Sequence, residues 1–523
     1  MTSRHYDVVV LGRSLGALAA AALLARRDFR VLLLGQGQYG QTYRFEEHVL
    51  CRRSFTLLGG SSPTWRRILH ELAQSPQFRR RTTPLDPMFV VLNEGRHVEV
   101  PPDIELFGRE LEREFPEVRQ IVDELYGSIA QVNSAADAAF ERDALWPPGS
   151  LWERFETGRI AATLPLTQGE RSQDLLGKFP VGHAYRDITT IPAQFASNSA
   201  ILGSEFPPFA LARLHGAWTR GVQSLARGED ELSEFLVERI VAHGGVVELN
   251  RRATSLLTKR GAVIGVLEDG EESATGAGAV LCDQSGETLA ALSGGEGVSK
   301  SAREDWPRLT PEAGRFVVSL VVNTRGLPGP LSTESFVVPG ERKRRDPRHP
   351  IVHLQRFEAS AFAEARKQAR DETLLVAETI LPTRGSLTLL EAREAVLSTL
   401  RDALPFLDEH LLIVDSPHDG MPLYDYRSGA RREIDRVHLR GTGPAAEPME
   451  RLWSVEPAGY LDLAGEPVRG PIHNTYLVGK TVLPGLGQEG ELMAAFGAAK
   501  LITRKDGARQ KMRRQMWSKI ETT

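Results

Sequence analysis

Six residues near the start of the chain, Gly12-Arg13-Ser14-Leu15-Gly16-Ala17, are of the types that let a backbone wrap around a phosphate. Small residues let the main chain approach the anion. The N–H groups and positive dipole end of the helix that follows would face it. Gly12 stands at the first position of the G-x-G-x-x-G/A pattern, Ser14 at the second and Ala17 at the third. Serine adds a side chain beside the phosphates, and alanine at the third position is an accepted variant. The same pattern wants an acidic residue at the end of the next strand to grip a ribose hydroxyl, and there the chain has Gly35 followed by Gln36. Gln36 offers a substitute acceptor, and Arg13 or Lys480 a cation for a phosphate. A second small-residue turn, Pro484-Gly485-Leu486-Gly487-Gln488-Glu489-Gly490, follows Gly479-Lys480 and opens another helix. No catalytic acid–base set stands out. His183, His215 and Trp218 lie in or near one stretch, where a lone histidine reads first as a structural residue.

These turns need elements to hold them. Val8-Val9-Val10-Leu11 reads as a buried strand, the Ala/Leu-rich segment after Gly16 as a helix, and Arg30-Val31-Leu32-Leu33-Leu34 as a returning parallel strand. The alternation in 89–101 predicts a hairpin, and the period of 104–142 predicts helix. Residues 143–200 are punctuated by Pro and Gly; they either cap a cavity or form peripheral helices. Leu232–His243 reads as an amphipathic helix ended by Gly244-Gly245. Strands follow at 246–249, 253–257 and 262–266, and Ala279-Val280-Leu281-Cys282-Asp283 looks like a parallel strand rejoining the first sheet. From Arg315 to about Leu439, strands alternate with a helix near Leu390–Leu404, which predicts a separate α+β domain. Thr475-Tyr476-Leu477-Val478 is a last short strand.

The 523 residues suffice for two or three domains, and a net charge of −4 with 25% charged residues argues against nucleic acid as a partner. Two cysteines far apart, Cys51 and Cys282, exclude a disulfide framework and suit a reducing compartment. Neither has metal-ligand spacing, so no metal site is expected. No start resembles a signal peptide, and no apolar run approaches the roughly 20 residues that span a bilayer. A cytoplasmic protein is the expectation. In the tail, Lys505, Arg509, Lys511, Arg513, Arg514 and Lys519 surround Met512, Met516, Trp517 and Ile520. That arrangement suits a helix lying on an anionic membrane surface, or one docking its apolar stripe on the protein itself.

The order strand, Gly479, Pro484–Gly490 turn and small-residue helix resembles the closing motif of the phytoene desaturase, carotenoid isomerase and retinol saturase group, within the amine-oxidase-like flavoprotein superfamily. The N-terminal turn and the block at 232–283 match that family in order and spacing. The resemblance implies an α/β fold: a Rossmann-like FAD-binding domain assembled from residues 1–85, 215–300 and 451–503. An inserted α+β substrate domain would take 86–214 and 301–450, with the tail at 504–523. It implies FAD as cofactor. Gly12, Arg13, Ser14, Gly16 and Ala17 would lie at the diphosphate, Gly35 and Gln36 at the ribose, and the backbone of Ala253 at the adenine. Gly479 and Lys480 would lie by the ribityl chain, and Gly487, Gln488 and Glu489 at the flavin's pyrimidine edge. It further implies hydride or electron transfer from a hydrophobic polyene or lipid. The family commonly has acids where Gly35 and Lys480 stand, and a Gly-Gly-Arg turn where this chain has Tyr39-Gly40-Gln41-Thr42. The alternative is a non-catalytic scaffold that escorts a protein or lipid without FAD, as GDP-dissociation inhibitors of the same superfamily fold do. Oligomeric state is not legible.

Overall fold

In the computed structural model the described residues are 4–93, 95–142, 144–165, 173–201, 206–329, 331–362, 371–457 and 463–507. The chain opens with β1 (His5–Leu11), in which Val8, Val9, Val10 and Leu11 are fully buried, as a strand covered on both faces must be. It turns into α1 (Leu15–Arg26), capped by Ser14, whose Oγ accepts from the Ala17 N–H at 3.3 Å. It then returns as β2 (Val31–Leu34), parallel to β1 with Leu34 opposite Leu11.

On its other side β1 pairs in parallel with Thr275–Cys282, placing Cys282 opposite Leu11, and that strand pairs in parallel with Thr475–Leu477. Val246–Glu248 lies beyond β2, and the hairpin Ala253–Lys259/Ala262–Glu268 joins antiparallel at the start of Thr275–Cys282. The five parallel strands thus lie in the order 3-2-1-4-5 by their sequence. That is a doubly wound sheet with its direction of growth reversing between β1 and Thr275–Cys282, and such a reversal opens a crevice at the carboxyl ends of the strands. The sheet draws its strands from three separated stretches, as the resemblance implies.

Two small-residue helices pack beneath the crevice. Ala17 and Ala19 to Ala22 of α1, and Ala494, Ala495, Ala498 and Ala499 of the C-terminal helix Gly487–Arg504, are fully buried. Gly16 is dictated by a backbone crossing, since a Cβ there would fall 1.8 Å from the Val478 carbonyl oxygen.

The second domain is α+β, built on a ten-stranded sheet around the 16-residue strand Arg308–Asn323, which pairs with Glu372–Pro382 on one side and Leu411–Asp415 on the other. Its side chains alternate. Phe316, Val318, Leu320 and Val322 pack with Ala392, Val396 and Leu400 of the helix Leu389–Ala403, while Val317 and Val321 pack with Tyr43, Leu50 and Cys51. The hairpin expected at 89–101 is present as Phe89–Asn93/Arg96–Val100. It belongs to this sheet, with Phe89–Asn93 parallel to Glu334–Val338. The helices Ile104–Glu114 and Arg119–Phe140 fill the stretch read as helical. Among the described residues no helix is long and apolar enough to cross a membrane, and no group of three His, Cys, Asp or Glu could hold a metal ion. Most of the basic tail, residues 508–523, lies outside the described residues.

Candidate functional site

The register of the first sheet brings the carboxyl ends of four strands level, so Gly12, Gly35, Asp283 and Val478 each follow a paired terminal residue. Gly12 has φ +114°, open to glycine alone, and its N–H donates to the Leu34 carbonyl at 2.8 Å. The crevice above it holds a carboxylate. Ser14 N–H donates to Asp283 Oδ2 at 2.9 Å and Gln38 Nε2 donates to Asp283 Oδ1 at 2.9 Å. Gln38 Oε1 accepts from Arg13 N–H at 3.1 Å. A Cβ on Gly12 would stand 2.0 Å from the Asp283 carboxyl carbon, so the space that the glycine frees is filled by this side chain. Asp283 is buried, and burial raises its pKa, with the Ser14 and Gln38 hydrogen bonds opposing. Sequence reasoning took Cys282-Asp283 only as the end of a core strand. The signal was available: Asp283 is the first residue past a strand that must pair with β1 in register.

Gly35 is set by the main chain, because a Cβ there would lie 1.9 Å from the Leu249 carbonyl oxygen. No acidic side chain can occupy that position in this backbone. Gln36, at φ +53°, turns its carboxamide onto the backbone of Ala253. Its Oε1 accepts from Ala253 N–H at 2.5 Å, and its Nε2 donates to the Ala253 carbonyl at 3.3 Å. Gln36 is thus engaged with Ala253 rather than offering the free acceptor that the sequence suggested.

On the far side of the crevice, Gly479 is required by the Asp283 carbonyl, 1.7 Å from where its Cβ would be. Lys480 Nζ pairs with Glu450 Oε1 at 2.7 Å. Burial opposes the Lys480 charge, but Glu450 and Glu491 outweigh it and raise its pKa. For Glu450, burial is overcome by Lys480, Arg315 and Arg53, which pull it down to about 2. Arg13 is half-buried near Glu229 and Asp230, and Arg53 hydrogen-bonds Glu229. Arg53, Glu229, Glu450 and Glu491 were not singled out in the sequence. They come from four distant segments, and nothing local marks them.

The C-terminal helix begins at Gly487 (φ +54°), whose Cβ would lie 2.0 Å from the Ala196 carbonyl oxygen. Gln488 clasps the loop before Trp65: its Oε1 accepts from Gly59 N–H at 2.9 Å and its Nε2 donates to Thr56 O at 2.7 Å. Glu489 takes both edges of Arg213, at 3.0 and 2.5 Å, and Arg213 also bonds Asn133 Oδ1 at 2.9 Å and Asp137 at 2.8 Å. The predicted residues therefore fall into two groups, one around Gly12, Gly35 and Gln36 and one at the start of this helix, with Gly479 and Lys480 between.

The facing wall of the second sheet is a buried polar chain. Ser54 Oγ donates to Glu378 Oε2 at 2.7 Å, His353 Nε2 meets Glu334 Oε2 at 2.7 Å, and Phe336 stacks on His353 with centroids 4.8 Å apart. His183, His215 and Trp218 each have a polar partner in the fold. His215, wholly buried, meets the Tyr126 hydroxyl at 3.0 Å, and burial lowers its pKa to about 4. Trp218 Nε1 donates to the Pro192 carbonyl at 2.8 Å, and His183 lies 3.0 Å from Glu117. Both cysteines are buried free thiols, and burial pushes them well above the usual thiol range.

A dinucleotide such as FAD needs a phosphate-sized space at the α1 N-terminus and free backbone groups for its base. The main chain provides the frame for both. The side chains as they stand do not fit, because Asp283 fills the first place and Gln36 holds the backbone groups of Ala253 at the second.

No family model and no curated protein matches the chain. Solved structures do. An oxidoreductase from Methanosarcina mazei matches with TM-score 0.55 at 14% identity, over 94% of this chain and 99% of that one. The PF1083 protein from Pyrococcus furiosus matches with TM-score 0.56 at 13% identity, over 95% and 97%. A putrescine oxidase variant redesigned in cofactor binding matches with TM-score 0.57 at 14% identity, over 96% and 99%. The chain has, from end to end, the two-domain α/β fold of these solved proteins, a Rossmann-like domain of discontinuous segments carrying a second α+β domain.

Proposed function

We propose that the chain is an FAD-dependent oxidoreductase acting on a hydrophobic substrate of the polyene or lipid class. The observation that supports this reading is the backbone frame at the topological switch point: Gly12 at φ +114°, the N-terminus of α1, and the close crossings at Gly16 and Gly479. FAD bound there would supply the hydride or electron acceptor. Arg13 and Lys480 would be the cations offered to its phosphates, with Asp283 and Gln36 displaced. The basic tail would bring the protein to an anionic membrane surface where such substrates reside.

A second reading, a flavin-free scaffold that binds a protein or lipid, is favoured by the carboxylate in the cradle. FAD titration to saturation, read in the visible spectrum after removal of free flavin, separates the two. Uptake of one equivalent per chain supports the oxidoreductase. A chain that stays colourless at saturating FAD, and stays so with Asp283→Asn, overturns it and leaves the scaffold.

A further inference from the structure

We propose that Asp283 and Gln36 are built-in surrogates of a nucleotide, the carboxylate standing for its diphosphate and the carboxamide for its base, so that nucleotide enters only by displacing them. The inference rests on reading the switch point as a nucleotide cleft.

The geometry on the diphosphate side is that of a bound anion. Thr275–Cys282 ends opposite β1, and the Asp283 N–H continues the ladder to the Leu11 carbonyl at 3.1 Å. Its side chain therefore projects over Gly12, at the N-terminus of the 12-residue α1. There the Ser14 N–H and the dipole of α1 meet a negative charge, as they would meet a phosphate. A carboxylate held in this place excludes a diphosphate twice, by volume and by like charge.

On the base side, Ala253 offers one backbone donor and one acceptor. The Gln36 carboxamide answers with an acceptor and a donor side by side. An adenine edge presents the same pair, a ring nitrogen beside an exocyclic amino group. Gln36 adopts a left-handed conformation, uncommon for a residue with a side chain, to make this contact.

One short loop holds both surrogates. Gly35 allows the chain to pass the Leu249 carbonyl, Gln36 turns to Ala253, and Gln38 bonds both the Asp283 carboxylate and the Arg13 N–H. The loop that would carry a ribose-binding acid is here built around a substitute for the ligand.

The test compares the full-length chain with Asp283→Asn, Asp283→Ala, Gln36→Ala and the double variant Asp283→Ala/Gln36→Ala. Binding of ADP and of FAD is read by calorimetry, with circular dichroism as the check of folding. ADP carries the diphosphate and the base without the flavin. Asp283→Asn keeps the shape of the side chain while removing its charge and one of its two acceptor oxygens, so it keeps the test alive should the alanine variants unfold. The surrogate role predicts that Asp283→Asn tightens ADP binding by about tenfold and the double variant by more than about a hundredfold, relative to the wild-type chain. Wild-type affinity for ADP equal to that of the folded variants overturns it, as do folded variants that gain nothing. Variants that gain ADP but never take FAD uphold the surrogates and sink the FAD reading. A wild-type chain that binds FAD as tightly as its variants does the reverse.

Discussion

Replacing Glu491 by Gln should stabilise the protein at alkaline pH and leave it nearly unchanged in acid. Glu491 sits one turn into the C-terminal helix with 3% of its surface exposed, and its Oε2 has no hydrogen-bond partner among the described residues. Burial raises its pKa from 4.5 to about 7. Lys480 opposes the shift, Glu450 and Glu229 add to it, and a hydrogen bond from the Gly16 N–H opposes it. A carboxyl whose pKa is raised on folding binds its proton more tightly in the native state. Its stabilising contribution is complete below about pH 4.5 and is lost as pH rises through about 7. At 1.36 kcal/mol per unit, the loss is about 3 kcal/mol above pH 8. Glutamine has nearly the same shape and cannot ionise, so its variant escapes that loss, with the Lys480 attraction already counted in the shifted value. The assay is urea unfolding of the wild-type chain and Glu491→Gln at pH 5 and pH 8.5, comparing the difference in midpoint between the two proteins. Parallel pH dependences would refute the assignment, for then Glu491 does not take up a proton on folding in that interval.

Other substitutions probe the frame. Gly35→Ala places a methyl group on the Leu249 carbonyl and should cost more than about 2 kcal/mol in urea unfolding, without creating FAD affinity; a neutral Gly35→Glu variant that binds FAD would refute this account of Gly35. Arg213→Ala leaves Glu489 without its buried cation, while Asp137 keeps Arg220, and should cost about 3–5 kcal/mol, whereas Arg213→Lys recovers only part, since an ammonium cannot serve both carboxylates and Asn133 together. Deletion of residues 504–523 should abolish flotation with anionic liposomes; equal flotation of both chains removes the tail from membrane binding.

The doubly wound sheet was legible because its strands are apolar runs bounded by glycines and its helices are small-residue segments of the right length. The glycines were legible as turns, but their cause was not. Gly16, Gly35, Gly479 and Gly487 were assigned to a ligand, and each lies against a backbone carbonyl, of Val478, Leu249, Asp283 and Ala196. A tight crossing of two main chains and a close approach to a cofactor demand the same residue, so composition alone cannot separate them. Asp283 escaped notice because its partner Ser14 is 269 residues away, and only strand register places it there. Glu450 and Arg213 escaped for the same reason: a buried ion pair across hundreds of residues leaves no periodicity.

Two departures from the flavoprotein pattern, at Gly35 and Lys480, can now be weighed against the alternative of decay. A cofactor cleft that merely lost its ligand contacts would accumulate unpaired polar groups, each costing roughly 1–3 kcal/mol when buried. The cleft here shows compensation at Ser14, Arg13, Ala253 and Lys480, while Glu491 Oε2 has no partner among the described residues. Ser14 and Arg13 N–H groups donate to Asp283 and Gln38, both polar backbone groups of Ala253 bond Gln36, and Lys480 is matched by Glu450. Compensation of this kind draws residues from strands, loops and both domains into one place. The frame therefore stands folded on internal contacts, and any nucleotide that enters it must first exchange its own hydrogen bonds for those of Asp283 and Gln36.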